Sequence, residues 1–366
     1  MTRRNDIAEF PEHEQLVRHD VEEQPGRELT VDIVRDRARF AALQGRWNAL
    51  VLASSATIYQ TYEWLSLWWK YFHSEHCLLW IIVFRHGKDI VGIAPFFLEA
   101  ETVFGFRIRR RLRMMGSCVP VRSYRGLYAE DGPSDYLDLI VLPEYAEDVA
   151  RELVVSLEEH ASLYDEIDLE NVPDGSILLT KVMPALHADG NRCSVRRTQM
   201  CPRLNVPDSV DLFLKRLQPG VRRKFQQARK TYWQKPLYAI ERVETESQVP
   251  SVFRDLVILH QQRWNRAGYV GLFCDKRFEG FQREFAQVSL ERGWLWLQAA
   301  TMAGVRVGVR LGFVFKERYF DYLSGFDERA PWGKSRPGIA LLRSMIDDAI
   351  DHRADIVDFL RGDEQY

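Results

Sequence analysis

The sequence predicts an α+β protein made of two related halves. Three observations point there. Runs rich in aromatic and β-branched residues recur, with separators short enough for hairpins. Between them lie segments whose apolar residues fall at three- and four-residue spacing, the helical period. One order of elements occurs twice: a tryptophan-containing helix, a hairpin, a strand with an Asp-Tyr pair, a helix, and a closing strand with an internal aspartate.

Length and composition allow this. The chain has 366 residues, enough for two domains, and 46% of them are hydrophobic, enough for two cores. A net charge of −2 argues against bulk nucleic acid as the main partner. Five scattered cysteines show no zinc spacing, so no metal site is expected and a reducing cytoplasm is the simplest setting. No run is long and apolar enough for a membrane span. Residues 1–27 are charged and aperiodic and read as a mobile tail. The expected domains are 28–200 and 201–366.

The first half opens with an alternating strand over 29–35 and a helix over 40–53. Tyr62–Phe72 (YEWLSLWWKYF) follows as an amphipathic helix with Trp64, Leu65, Trp68 and Phe72 on its core face. Segments 78–84 and 90–98 form a hairpin. Residues 104–115 (FGFRIRRRLRMM) carry five arginines, either an anion-binding face or a solvated hairpin. Strands are expected at 135–141 and 166–171, with a helix over 145–162 between them. The crossing to the second half holds a helix over 177–189 and a strand over 193–198.

The second half begins with a basic helical stretch over 211–234, interrupted at Pro219-Gly220. Its cations suit a phosphorylated ligand, nucleic acid or plain solvent. A helix over 252–268 brings His260, Arg263 and Trp264 within about one turn. Then come three strands, at 294–301, 305–315 and 318–326. A Gly- and Pro-rich loop (DERAPWGKSRPG), a helix over 339–352 and a last strand over 355–360 complete the chain. The loop ends at a helix start, where unpaired N–H groups and the helix dipole favour an anion. Gly338 would let a phosphate approach the backbone, while Lys334 and Arg336 supply charge. An ordinary loop that merely starts a helix is the alternative. The corresponding loop of the first half, Leu142-Pro143-Glu144-Tyr145, is acidic and lacks glycine, so an anion cradle is expected only in the second half.

Several of these pieces together resemble the CelD/BcsL-type acetyltransferases of the GNAT superfamily, which have been linked to bacterial cellulose or exopolysaccharide operons. They are Tyr62–Phe72, VGIAPF at 91–96, Ser134-Asp135-Tyr136, Arg222-Arg223-Lys224, HQQRW at 260–264, YLSGF at 322–326, Pro337-Gly338 and the ending DFLRGDE at 358–364. That family is similar to the Fem-type aminoacyl transferases, which pair two GNAT-like domains. The resemblance implies tandem GNAT-like domains, each a mixed, mainly antiparallel sheet flanked by helices. It also implies acyl transfer from acetyl-CoA or another acyl-CoA to an amine or hydroxyl of a small molecule or glycan precursor.

On this reading Lys334, Ser335, Arg336, Pro337, Gly338 and Ile339 hold the pyrophosphate, and Ser324 and Gly325 lie along the pantetheine. Asp358, Asp363, Glu364 and His260 are candidate bases, and Tyr322 a candidate acid for the leaving thiolate. Arg222, Arg223, Arg263, Trp264, Arg361 and Asp363 are candidates for gripping the acceptor. No nucleophile arrangement is legible, which favours direct transfer. A Fem-like transferase using aminoacyl-tRNA, and a GNAT-like shell that only binds, are the competing readings.

Overall fold

The computed structural model describes residues 27–103, 106–117, 132–329 and 332–362. The tail expected over 1–27, apart from Arg27, lies outside them, as do Asp363 and Glu364. The chain divides into two units. The first is Met1–Ala56, Ser74–Ser117 and Tyr136–Gln199; the second is Thr57–His73, Cys118–Asp135 and Met200–Tyr366. Thr57–His73, read from sequence as part of the first domain, therefore groups with the second unit. The reason is aromatic packing: the Trp64 ring meets Phe281, Phe285 and Phe313 edge-on at 4.8, 4.6 and 6.1 Å.

The chain starts with β1 (Thr30–Val34), α1 (Arg37–Ala42) and α2 (Gln44–Ala53) in the first unit, and α3 (Tyr62–Phe72) in the second. Returning to the first unit, β2 (Cys77–His86), β3 (Asp89–Val103) and β4 (Phe106–Met114) make an antiparallel meander. β5 (Ile140–Val141), α4 (Ala146–Glu159), β6 (Glu166–Ile167) and α5 (Met183–Ala188) complete the unit. Its sheet runs β1-β2-β3-β4-β6, with β5 against β3 and β6 parallel to β4. Val149, Leu153 and Leu157 of α4 pack with Trp80, Ile82 and Phe96 in the core.

In the second unit β7 (Arg203–Asn205), α6 (Val210–Arg216), α7 (Pro219–Tyr232), β8 (Tyr238–Arg242), α8 (Val249–Arg266) and α9 (Lys276–Glu291) precede a second meander. That meander is β9 (Leu295–Met302), β10 (Val305–Phe315) and β11 (Arg318–Phe326), followed by α10 (Pro337–Asp351) and β12 (Ile356–Asp358). The sheet order is β7-β12-β11-β10-β9-β8, antiparallel except where β12 joins β11. On β10, Gly308 and Gly312 look at Pro337, Leu341 and Met345 of α10, while Phe313 looks at Trp64 and Phe285. Helices thus cover both faces of this sheet.

The internal repeat is a repeat of topology. β1-β2-β3-β4-β6 matches β8-β9-β10-β11-β12, and in each case a helix leads into the one parallel pair. The sequence pairing of the two Asp-Tyr segments is off by one element. The counterpart of β11 is the arginine-rich β4, and 135–141 is mostly loop. There the Asp138 carboxylate accepts N–H bonds from Ile177 and Leu178, and Tyr136 takes φ 56°. Both features pull the backbone out of a ladder. The strands expected at 193–198 and beyond Ile167 do not form either. α9 went unpredicted, although Phe278, Phe281 and Phe285 recur at helical spacing and are buried.

Candidate functional site

The features of interest gather where β11 leads into α10. β12 pairs with β11 only from Arg318–Ile356 to Phe320–Asp358. Beyond Phe320, β11 continues six residues to Phe326, and among the described residues no strand pairs with that edge. Against β10 on its other side, Leu311 faces Leu323 and Gly312 faces Asp321, which leaves Tyr322 as an extra residue. It is a β-bulge, a device that bends a strand and re-aims its side chains.

α10 begins at Pro337. Arg336 before it is left-handed at φ 56°, and among the described residues no side chain caps the helix. Proline at the first position has no N–H to lose. Its first turn contains no acidic residue. The N–H groups of Gly338 and Ile339 belong to the set that no helix can pair internally, and the dipole there favours an anion. Gly338 is tightly seated: a Cβ on it would lie 2.9 Å from the Phe326 ring. Ser335 is buried and shares a 2.8 Å hydrogen bond with Tyr232 of α7, so its hydroxyl is engaged with the protein. Lys334 is exposed and Arg336 half-buried.

A buried ion pair supports this corner. Arg310 of β10 is 2% exposed and binds Asp321, the residue just before the bulge. Its other guanidinium nitrogen reaches the Gly338 carbonyl at 3.4 Å. One side chain thus ties β10, β11 and the first turn of α10 together.

Tyr322 turns its ring toward Tyr59, Trp64 and Phe313. Its hydroxyl donates to the Pro133 carbonyl at 2.8 Å and accepts from Gln282 Nε2 at 2.9 Å. Burial first, and the Asp135 charge second, push its pKa well above the ordinary phenol value. It stays protonated at neutral pH. Beside it, Trp64 Nε1 donates to Ser134 Oγ at 2.8 Å, and Arg361 pairs with Asp135. The Arg361 guanidinium also donates to the Gly132 and Ser134 carbonyls at 3.0 and 3.2 Å. Sequence reasoning missed Gln282 and the Ser134–Asp135 pair in this role. Their partners lie far away in the chain: Ser134 and Asp135 stood out only as part of a resemblance, and no local pattern ties them to Trp64 and Arg361.

The other predicted residues scatter. Asp358 is 1% exposed, binds Arg203 at 2.9 Å and accepts the Leu360 N–H at 2.9 Å. It is a structural anchor of β12 rather than an available base. Arg222 folds back to donate to the carbonyls of Leu214, Lys215 and Leu217, closing the end of α6. Arg361 is likewise engaged in the 132–135 loop, so neither arginine is poised to grip an acceptor.

His260 is 2% exposed, its Nδ1 has no hydrogen-bond partner among the described residues, and its ring packs edge-on against Phe273. Burial, then the nearby Arg263, lower its pKa to about 4, so it is a weak base. The α8 backbone presses on β11 at this point: a Cβ on Gly325 would sit 2.4 Å from the His260 nitrogen. Arg263 lies over the Phe326 ring at 4.6 Å, and Trp264 meets Tyr269. Arg223 is exposed on α7. Among the described residues no His, Cys, Asp and Glu cluster has metal-holding geometry, and no helix is long and apolar enough to cross a membrane.

Comparison with known proteins fits this geometry. Residues 220–366 match the acetyltransferase (GNAT) domain. The crystal structure of FemX superposes with a TM-score of 0.58 at 12% identity, covering 88% of each chain. A conserved protein of unknown function from Bacteroides thetaiotaomicron VPI-5482 gives a TM-score of 0.51 at 13% identity, covering 91% of this chain and 90% of that one. No curated protein matches the sequence. The matched segment holds β8 to β12, the β11 bulge and the start of α10. Residues 220–366 are thus similar to a GNAT acetyltransferase domain, and the two-unit α+β fold is similar to that of FemX.

Proposed function

We propose that the protein is an acyltransferase that takes an acyl group, in the simplest case acetyl, from coenzyme A to an amine or hydroxyl of a small molecule or glycan precursor. One observation carries this reading: β11 loses its partner strand just where it bulges, and the uncapped, acid-free start of α10 stands at the end of that edge. A pantetheine chain is amide-bearing and can hydrogen-bond like a strand along 321–326, past Ser324 and Gly325. The pyrophosphate suits the N–H groups of Gly338 and Ile339, with the Lys334 and Arg336 charges nearby. Pro337 and Ser335 shape that turn.

In the reaction a neutral amine or hydroxyl attacks the thioester carbon. A C–N or C–O bond forms, the C–S bond breaks, and the acceptor loses a proton while the thiolate gains one. Tyr322 is the best-placed proton donor of the residues considered, since it is neutral and sits at the bulge. Its proton is lent to the Pro133 carbonyl and would have to be redirected. The base remains open between His260, in its neutral form, and Asp363 and Glu364, which lie outside the described residues. Arg263, Trp264 and Arg223 remain the side chains proposed for the acceptor.

The test is calorimetric binding of acetyl-CoA to the wild type and to Gly338→Asp, with pantetheine and adenosine bisphosphate as partial ligands. The substitution puts a carboxylate where the pyrophosphate is expected. Binding that the variant loses while keeping its melting temperature supports the site. A wild type that binds no acyl-CoA defeats the reading. Thioester turnover then separates a transferase from a shell that only binds.

A further inference from the structure

The charge of the chain is unevenly spread. Between Leu212 and Ile240 there are eight Lys and Arg and no Asp or Glu, against a net charge of −2 overall. α7 lies in this stretch and is two-sided. Phe225, Ala228 and Tyr232 are buried against α10. Arg223, Lys224 and Lys230 are exposed, and Arg223 and Lys230 lie seven residues apart on one stripe. Among the described residues none of the three forms an ion pair. The turn from α7 into β8 adds exposed Lys235 and two large apolar side chains, Trp233 at 45% and Leu237 at 61% exposure. The surface is therefore a cationic helix face that ends in an exposed indole and an exposed leucine.

We propose that this face docks on an anionic membrane surface. Cations attract acidic headgroups, and a tryptophan and a leucine beside them can enter the headgroup boundary. The aliphatic Leu237 decides between partners. It gains by leaving water for lipid, whereas the phosphates and bases of a nucleic acid call for cations and aromatic rings, and an aliphatic side chain is neither. The contact is peripheral and shares with the acyltransferase reading only Arg223, which K230Q/K235Q leaves in place.

The experiment is co-sedimentation of the full chain with vesicles of mixed phosphatidylglycerol and phosphatidylcholine, at low and high salt, with pure phosphatidylcholine vesicles and bulk transfer RNA in parallel. Each cation near an acidic leaflet strengthens partitioning about fivefold. Replacing four, as R223Q/K224Q/K230Q/K235Q, should weaken it on the order of a hundredfold or more. Because these side chains form no ion pairs among the described residues, the melting temperature should hold. Should the quadruple variant fold poorly, R223Q/K224Q and K230Q/K235Q are tested separately, each with roughly a 25-fold loss expected. W233A/L237A should weaken binding that survives high salt. Absence of binding to acidic vesicles, equal binding by the charge variants, or retention on transfer RNA alone would overturn the proposal.

Discussion

β4 with α4, and β11 with α10, occupy the same place in the two repeats, and chemistry separates them. β4 pairs with β3 over its length and ends two residues past its last pair with β6, whereas β11 runs six residues past its last pair with β12. β6 joins it at Arg111 and Leu112, and the Arg110 and Leu112 carbonyls accept N–H bonds from Asp165 and Asp168. Its arginines are answered: Arg109 by Glu166, Arg111 by Glu101 and Glu166, Arg113 by Glu99 and Glu170. α4 opens with Glu147 and Asp148 in its first turn. Among the described residues β11 has an unpaired edge beyond Phe320, and α10 opens with no acid. A shared topology supplies a helix N-terminus in both units. Charge and strand pairing leave only one of them suited to an anion.

The contrast can be broken most severely at the buried arginines. Arg310 has one carboxylate partner, Asp321, whereas Arg113 has two. Asp321→Asn leaves a buried guanidinium uncompensated and should cost about 3–5 kcal/mol. Glu99→Gln leaves Arg113 with Glu170 and should cost about 1–2 kcal/mol. Urea unfolding compares the two. Equal losses would mean that the Arg310 pair is not the isolated support its geometry implies.

Next in size is an acid effect confined to the second unit. Between their first two strands both units carry helices. α2 buries Trp47, Leu50 and Val51, which do not titrate, whereas α8 buries His260. Folded His260 titrates near about 4, the unfolded residue near 6.5. Above the higher value neither state holds the proton. As pH falls between the two, only the unfolded chain takes it up, so stability drops; below the lower value the loss levels off. The total is roughly 3 kcal/mol. His260→Leu should flatten that part of a stability–pH profile. A profile unchanged by the substitution would show that the loss arises from other groups.

Smaller again is the ligand effect. Gly338→Asp should weaken acetyl-CoA binding at least about 30-fold, roughly 2 kcal/mol. Removing the acids from the first turn of α4, as E147Q/D148N, should create no binding, because β4 still runs only two residues past its partner strand. Acetyl-CoA binding gained by that double variant would show that charge alone distinguishes the two helix starts.

What the sequence made legible was local. The α3 boundaries, the β9–β11 meander and α10 were readable because period and turn residues agree there. Gly338 was singled out for anion binding, and the structure gives that glycine a packing reason as well, since a Cβ there would lie 2.9 Å from the Phe326 ring. The 135–141 segment looked like a strand, but Asp138 is committed to backbone N–H groups some forty residues away. Arg222 and Arg361 looked like ligand-binding side chains, yet each donates to backbone carbonyls. Such commitments are set by tertiary contacts, which no periodicity encodes.

The smallest effect tests the arginine strand itself. Arg111 is 20% exposed and lies within reach of Glu101, Glu166 and Asp168. Because the site is partly open to water, Arg111→Gln should cost only about 0.5–1 kcal/mol. High salt should shrink that difference, since screening weakens the pairs that remain. Acetyl-CoA binding should not change, because Arg109, Arg111 and Arg113 are neutralised by carboxylates of their own unit. A fall in acyl-CoA affinity without a matching fall in stability would show that β4 contributes to anion binding after all. The division of labour between the two repeats would then have to be redrawn around the first unit.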